Sequence, residues 1–206
     1  MDPAYLTDGA LAKFRAVARE HRLAGLAGLS AALAAPALLG AGGVALWRYD
    51  RRAIADGEWW RLVTGNLVHV DLAHLALNLA GLALLWWLFV ADARWRDWLA
   101  VALLAALAVG LGLYAFDPAL GWYVGFSGVE HGCWAAAGVF ALGRRRLEGL
   151  VTLALLGAKT AAEQLHGPLV AAALDPHLAV VVDAHLYGAI AGLATAAALR
   201  FRRASL

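Results

Sequence analysis

The chain has 206 residues, of which 63% are hydrophobic and 16% charged, and its mean hydropathy is +0.68. These values lie outside the range of soluble globular domains, and apolar stretches long enough to cross a bilayer recur along the chain. The formal net charge of +2 argues against a nucleic-acid partner, and the single cysteine, Cys133, excludes an internal disulfide. The sequence therefore predicts an all-α polytopic membrane protein, since backbone groups within a bilayer must be paired inside helices.

Six transmembrane helices account for most of the chain, with short basic or tryptophan-rich hinges between them. The predicted spans are 23–47, 69–91, 98–116, 127–143, 147–166 and 178–200. The first apolar run is too long for the core of a signal peptide, so we expect a retained helix. The chain then divides into a cytoplasmic N-terminal segment (1–22), a membrane domain (23–200) and a cytoplasmic tail (201–206).

Lysine and arginine set the predicted orientation of the helices. With a cytoplasmic N-terminus, twelve of these residues fall on the cytoplasmic side and four on the other. Positive residues concentrate on the cytoplasmic side of membrane proteins, so both termini are predicted to be cytoplasmic.

Polar side chains inside the spans are costly, so each is expected to have a partner or a function. Four of them, His74, Asn78, Ser127 and His185, come from three different predicted helices. Counted at about 1.5 Å per residue, each lies roughly 21 to 27 Å above the predicted cytoplasmic end of its helix. They therefore share one level in the outer part of a bilayer core about 30 Å thick.

The segment before Ser127 is expected to enter the membrane, because the fourth span is too short to reach the outer surface. Irregular backbone at that depth is tolerated where it lines a water-filled cavity or is buried in protein. The sequence therefore predicts a water-filled cavity beside residues 121–126. A hydrolase in the membrane needs such a cavity.

Small residues repeat every four positions on two of the predicted helices. The fourth span carries Gly128, Gly132 and Ala136, and the sixth carries Ala184, Gly188 and Gly192. Such stripes let helix backbones approach closely. A close crossing would bring the Ser127 hydroxyl and the His185 imidazole within hydrogen-bonding reach, as activation of a serine nucleophile requires.

Four motifs follow one another between Glu58 and Gly192. The first is Glu58-Trp59-Trp60-Arg61 with Thr64; the second is His69, His74 and Asn78; the third is Gly125-Phe126-Ser127-Gly128; the fourth is Ala184-His185-Leu186-Tyr187-Gly188. In this order they resemble the rhomboid motifs Glu-x-Trp-Arg-x-x-Thr, His-x4-His-x3-Asn, Gly-x-Ser-Gly and Ala-His-x-x-Gly. The resemblance implies a six-helix rhomboid-like bundle with the second motif on the second helix.

The resemblance also implies an intramembrane serine endopeptidase that needs no cofactor or metal. Ser127 would attack the scissile carbonyl and His185 would take its proton, as a dyad without an acid. The side chains of His74 and Asn78, with the backbone N–H of Ser127 and Phe126, would stabilise the oxyanion. Supporting positions are Gly125, Gly128, His131 and Gly188.

A narrower resemblance is to the rhombosortases, a compact six-span branch of the rhomboids. It rests on residues 122–128, 131–132, 159–164 and 181–188. It implies a multi-pass protein of the bacterial inner membrane whose partners are the lipid bilayer and a membrane-anchored substrate. The substrate would carry a C-terminal sorting tag: a Gly-Gly motif, one hydrophobic helix and a basic end. The acyl group would pass to water or to an amine acceptor, and the sequence leaves this open.

Three charged residues inside the spans are candidates for a structural pair or for substrate binding: Lys159, Glu163 and Glu130. Lys159 has two predicted partners, Glu163 four residues further along its helix and Glu130 at equal depth on the neighbouring helix. The pair either locks the fourth and fifth helices together or lines the cavity and engages the substrate's polar tag. Asp183 is expected to face away from His185.

Other interpretations of the same residues are open. A catalytically inactive relative that binds membrane clients is one, and a small transporter is another. A zinc site built from His69, His74, His131 and His185 is a third, although His-x4-His does not place both ligands on one helical face. Otherwise His69 is expected to be structural, and His131 is expected to support the ring of His185.

Overall fold

The computed structural model describes residues 24–168 and 180–204. Its elements are α1 (residues 24–34), a 3-10 turn (Ala35–Leu39), α2 (Gly40–Trp47), β1 (Tyr49–Asp50), α3 (Arg51–Ala55), α4 (Arg61–Thr64), a 3-10 turn (Gly65–Leu67), α5 (Leu72–Phe89), a 3-10 turn (Val90–Asp92), α6 (Trp95–Phe116), β2 (Trp122–Tyr123), α7 (Ser127–Ala141), α8 (Arg146–His166) and α9 (Val182–Ala204). The predicted cytoplasmic segment 1–22 and the last two residues of the predicted tail lie outside the described residues.

Three of the described helices are long and apolar enough to cross a membrane. They are Leu72–Asp92, Trp95–Phe116 and Val182–Arg203, which correspond to the second, third and sixth predicted spans. The helices α7 and α8 occupy the fourth and fifth, but α7 has 15 residues and α8 carries charged residues among its apolar ones. The prediction of an all-α membrane protein is confirmed, whereas the six spans and the cytoplasmic termini stay predictions.

The prediction of one continuous helix over 23–47 is wrong. The 3-10 turn Ala35–Leu39 separates α1 from α2. Pro36 lies in the first positions of this turn, where it has no N–H to donate, and Gly40 follows with a φ of +60°. An apolar composition predicts a span but gives no information about either of these two breaks in the helix.

The helix α7 lies inside the bundle, packed against α5, α6, α8 and α9. Its contact with α9 is a backbone contact: a Cβ built at Gly188 would lie 1.8 Å from the carbonyl oxygen of Gly128. One turn further on, a Cβ at Gly192 would lie 1.9 Å from the carbonyl oxygen of Gly132. The predicted small-residue stripes therefore do face each other, and any side chain at these positions would force the helices apart.

Arginines pair with acids and carbonyls at the end of the bundle away from Ser127. Arg145 binds Asp92 at the end of α5, and Arg203 binds Asp97 at the start of α6. Arg200 donates to the carbonyl oxygen of Val139 at 2.8 Å. These contacts join the ends of α5 to α9 on the side that the charge pattern predicts to be cytoplasmic.

The opposite end consists of two loops held together by β1 and β2. Tyr49 pairs with Tyr123 in antiparallel register, and Arg51 N–H donates to the carbonyl of Gly121 at 2.9 Å. Gly125 N–H donates to the carbonyl of Gly65 at 3.1 Å. The segment before Ser127 is therefore paired along its length with the loop that follows α2.

We predict that Gly192→Ala lowers the free energy of unfolding by about 1 to 3 kcal/mol, because the added methyl collides with the backbone of α7. The matched control is Gly157→Ala on α8, where a Cβ meets nothing within 4 Å. Thermal melting in detergent should place the first variant below the wild type and the second level with it or above, since alanine favours helix. Equal melting of the two variants would contradict the close crossing.

Candidate active site

Ser127 is the first residue of α7, and the backbone just before it is irregular. Gly125 has a φ of +127°, and a Cβ at this position would lie 2.7 Å from the imidazole of His74. Only glycine fits both the conformation and the space. The buried Tyr123 hydroxyl donates to the carbonyl of Gly125 at 2.7 Å. Burial raises the pKa of Tyr123 above its ordinary value, so this donor stays protonated.

The predicted nucleophile and base are in contact. The Oγ of Ser127 lies 2.9 Å from Nε2 of His185, across the close contact between α7 and α9. The His185 ring is buried, while Ser127 is partly exposed and lines a cavity. In this geometry, a ring that keeps its lone pair on Nε2 accepts a hydrogen bond from the Ser127 hydroxyl and can take its proton.

A carboxylate occupies the other side of the His185 ring. Oε2 of Glu163, from α8, lies 2.8 Å from Nδ1 of His185. An acid therefore contacts the predicted base, a contact that the expectation of a dyad without an acid did not include. Asp183 is not this acid, as expected from its position on α9; it lies near Asp117 instead, where burial together with this negative charge raises the pKa of the Asp117 carboxyl. The Glu163 side chain is only 3% exposed, so this contact is shielded from solvent.

Lys159 joins the same group of side chains. Its ammonium lies 2.5 Å from Oε1 of Glu163, one helical turn along α8, and 2.9 Å from Nε2 of His131 on α7. Its partner across the helix interface is therefore His131. The alternative pairing with Glu130 is wrong: the Glu130 carboxylate lies against Gly81 of α5, and its Oε1 has no hydrogen-bonding partner among the described residues.

His131 lies flat against His185. The two ring centroids are 4.0 Å apart and the planes differ by 8°. Nδ1 of His131 is 2.7 Å from the carbonyl oxygen of Ser127, and its Nε2 faces the lysine. The ring is therefore fixed at both nitrogens, as expected of a residue that supports His185.

His74 and Asn78 line the cavity beside Ser127, on the first turns of α5. One N–H of the Asn78 amide donates to the carbonyl of His74 at 3.0 Å, which leaves a second N–H for a ligand. His69 lies before the start of α5, so its predicted place on the second helix is wrong. Its ring meets that of His74 edge-on, with centroids 5.0 Å apart.

Three of the described residues could together offer ligand atoms to a metal ion. They are His131, Glu163 and His185, whose donor atoms all lie within 4.8 Å of one another. His69 and His74 are not part of this group, so it differs from the zinc set considered from the sequence. The ammonium of Lys159 is hydrogen-bonded to two of the three residues. One donor atom of His131 and one of Glu163 therefore already have a partner.

A cavity of about 840 Å³ leads away from Ser127 between α5, α7 and α8. Apolar side chains form most of its walls, among them Leu84, Leu88, Trp134, Val151 and Leu155. Its far end is lined by Arg145 and Glu148, about 20 Å from Ser127 along α7. Residues 121–126 do not line this cavity, so it is not the cavity that the irregular segment before Ser127 predicts.

The motif formed by Glu58, Arg61 and Thr64 has a structural role in the loop that follows α2. The Arg61 guanidinium binds Glu58 and the carbonyls of Ala45 and Arg48, and the Thr64 hydroxyl donates to the carbonyl of Trp47 at 2.7 Å. These contacts hold the end of α2 against α4.

The matches to known proteins agree with this arrangement. The family model of the Rhomboid domain matches residues 56–202, which contain all the residues of the site described above. The chain belongs to the rhomboid family. One relative is the Rhomboid protease GluP of Bacillus subtilis (strain 168), which is 33% identical over 107 residues. That match covers 50% of this chain and 20% of the relative, so the chain spans well under half the length of that protein.

We predict that Gly125→Ala lowers the rate of labelling of Ser127 by a fluorophosphonate probe by about 100-fold, because the added methyl displaces His74 and strains the turn before Ser127. Gly121→Ala is the matched control in the same loop, since a Cβ there meets nothing within 4 Å and its φ is ordinary for any residue. Labelling rates measured on detergent-solubilised protein decide the question. Equal rates for the two variants would show that the turn does not control access to Ser127.

Proposed function

We propose that this protein is an intramembrane serine protease. The observation that carries the proposal is the hydrogen bond of 2.9 Å between Ser127 Oγ and His185 Nε2. This pair lies at one end of a long apolar cavity. A hydroxyl paired with a neutral imidazole is the arrangement that generates a nucleophile. Neither an inactive client-binding protein nor a transporter needs this pair.

The proposed reaction forms an acyl-enzyme on Ser127 and then releases it. Ser127 Oγ attacks the carbonyl carbon of the substrate, and its proton moves to Nε2 of His185. The oxyanion receives hydrogen bonds from the side chains of His74 and Asn78 and from the backbone N–H of Ser127, which has no partner within its own helix because Ser127 begins α7. The backbone N–H of Phe126 is a further donor in this proposal. The imidazolium then protonates the leaving amine, and water or another amine releases the acyl group from Ser127.

We further propose that the substrate is a membrane-anchored exported protein with a C-terminal tag of the rhombosortase type. The apolar walls of the cavity suit the hydrophobic helix of such a tag. Glu148 at its far end suits a basic terminus, because the charge of the neighbouring Arg145 is paired with Asp92. Lys159 lines the cavity with a side chain that is 33% exposed, and its ammonium uses two of its three donors on Glu163 and His131. The third donor is available to a backbone carbonyl of the tag near the scissile bond. A structural and a substrate-binding role for this lysine are therefore compatible.

We predict that Ser127→Ala and His185→Gln abolish cleavage of a co-expressed reporter that ends in a Gly-Gly motif, a hydrophobic helix and a basic tail. Each variant removes one of the two groups that transfer the proton. The same reporter with its Gly-Gly motif replaced by Leu-Leu is the substrate control. Mass spectrometry of the new C-terminus separates a free carboxylate, the product of hydrolysis, from an amine adduct. Unchanged cleavage by Ser127→Ala would refute the protease; cleavage of both reporters at equal rates would refute the tag.

Asn78→Ala should lower kcat by about 100- to 1,000-fold and leave KM within a few fold, because its contact strengthens only as the oxyanion forms. His74→Ala should behave in the same way, with an added loss of stability from its packing against Gly125. Steady-state kinetics on a fluorogenic membrane peptide distinguish the two parameters. A rise in KM at unchanged kcat would remove Asn78 from the oxyanion site and make it a binding residue.

A further inference from the structure

The His185 ring is hydrogen-bonded through both nitrogens, and the partners differ in kind. Nε2 faces the Ser127 hydroxyl at 2.9 Å, and Nδ1 faces a carboxylate oxygen of Glu163 at 2.8 Å. An ionised carboxylate only accepts hydrogen bonds, so the proton of a neutral ring must reside on Nδ1. Nε2 is then left with its lone pair towards Ser127, which is the tautomer that a general base requires.

The neighbouring charges explain why Glu163 can be ionised in a buried position. Its second oxygen, Oε1, lies 2.5 Å from the ammonium of Lys159. A buried carboxylate without such a partner would be costly, whereas a paired and hydrogen-bonded one is tolerated. The two oxygens of Glu163 therefore have separate tasks: one receives the lysine, and the other receives the histidine.

The hydrogen bonds of His131 are consistent with this assignment. The lysine ammonium can only donate, so Nε2 of His131 accepts, and its Nδ1–H donates to the carbonyl of Ser127 at 2.7 Å. His131 is therefore neutral, and the ring stacked on His185 at 4.0 Å adds no positive charge beside it. In this network every donor therefore faces an acceptor. The four residues that form it are Lys159, His131, Glu163 and His185.

We infer that Glu163 is the positioning residue of the site: its carboxylate, held by Lys159, fixes the tautomer and orientation of His185 and stabilises the imidazolium formed when Ser127 attacks. This inference rests on the proposed protease function. It adds an acid from α8 to a serine and a histidine from α7 and α9. It also gives the Lys159–Glu163 pair a function beyond joining two helices.

The test is Glu163→Gln, which keeps the shape of the side chain and removes its charge. We expect kcat to fall by about 100- to 10,000-fold with KM within a few fold, because the amide no longer selects the reactive tautomer. Glu163→Asp should recover part of this loss. Thr160→Val is the matched control, since Thr160 is buried on the same helix and its hydroxyl has no partner among the described residues. It should cleave like the wild type.

A second readout reports the tautomer directly. In protein labelled with 15N-histidine, the Nδ1–H resonance of His185 should be present and shifted far downfield in the wild type. It should be lost or moved upfield in Glu163→Gln, and it should persist in Thr160→Val. A purely structural role for Glu163 would leave this resonance and kcat unchanged once the variant is folded.

The outcomes separate this inference from the proposed function. If Ser127→Ala is inactive while folded Glu163→Gln cleaves within about threefold of the wild type, the positioning role is wrong and the protease stands. If Ser127→Ala cleaves as well as the wild type, the protease itself is wrong. Should Glu163→Gln fail to fold, the pair is replaced by Lys159→Met with Glu163→Leu, because an apolar pair often substitutes for a buried ion pair without loss of stability. Wild-type turnover by that folded double variant overturns the inference, and a large loss of kcat at constant KM supports it.

Discussion

The backbone contact between α7 and α9 is the constraint on which the rest of the site depends. The carbonyls of Gly128 and Gly132 lie where side chains at Gly188 and Gly192 would begin, so nothing but hydrogen separates the two helices. A serine side chain has a single rotatable bond before its hydroxyl and cannot follow a shift of the helix that carries it. The distance of 2.9 Å to His185 is therefore set by glycines that begin next to Ser127 and extend more than one turn along both helices.

Irregular backbone next to Ser127 is tolerated because its polar groups are paired within the protein. The Arg51 guanidinium alone donates to the carbonyls of four residues in or next to the loop that leads to β2. Backbone pairs with the loop after α2 and the Tyr123 hydroxyl satisfy much of the remainder. In a membrane, unpaired backbone groups at this depth would be costly. The turn at Gly125 therefore depends on its pairing with the loop that follows α2.

The sequence predicts the parts of this site that depend on local pattern. It does not predict contacts between helices, which depend on how each helix is rotated about its axis. Motif and spacing identify Ser127, His185 and the glycine stripes, and the spacing of four residues identifies the Lys159–Glu163 pair. The cross-helix partner of Lys159 could not be chosen, because Glu130 and His131 are neighbours in sequence but point about 100° apart on α7. His131 faces α8, whereas Glu130 faces Gly81 on α5. The contact of Glu163 with His185 joins two different helices, so no spacing within one helix predicts it.

The charges around His185 fit the reaction that we propose. Proton transfer from Ser127 turns a neutral imidazole into an imidazolium in a region poor in water, where an isolated charge is expensive. Glu163 supplies the opposite charge at 2.8 Å before the reaction begins, so little reorganisation is needed when the positive charge appears. Lys159 balances that carboxylate in the resting state and remains at the edge of the cavity, 33% exposed, where the substrate arrives. The partly buried pair of Lys159 and Glu163 therefore has a function beyond stability, which apolar packing alone could supply equally well.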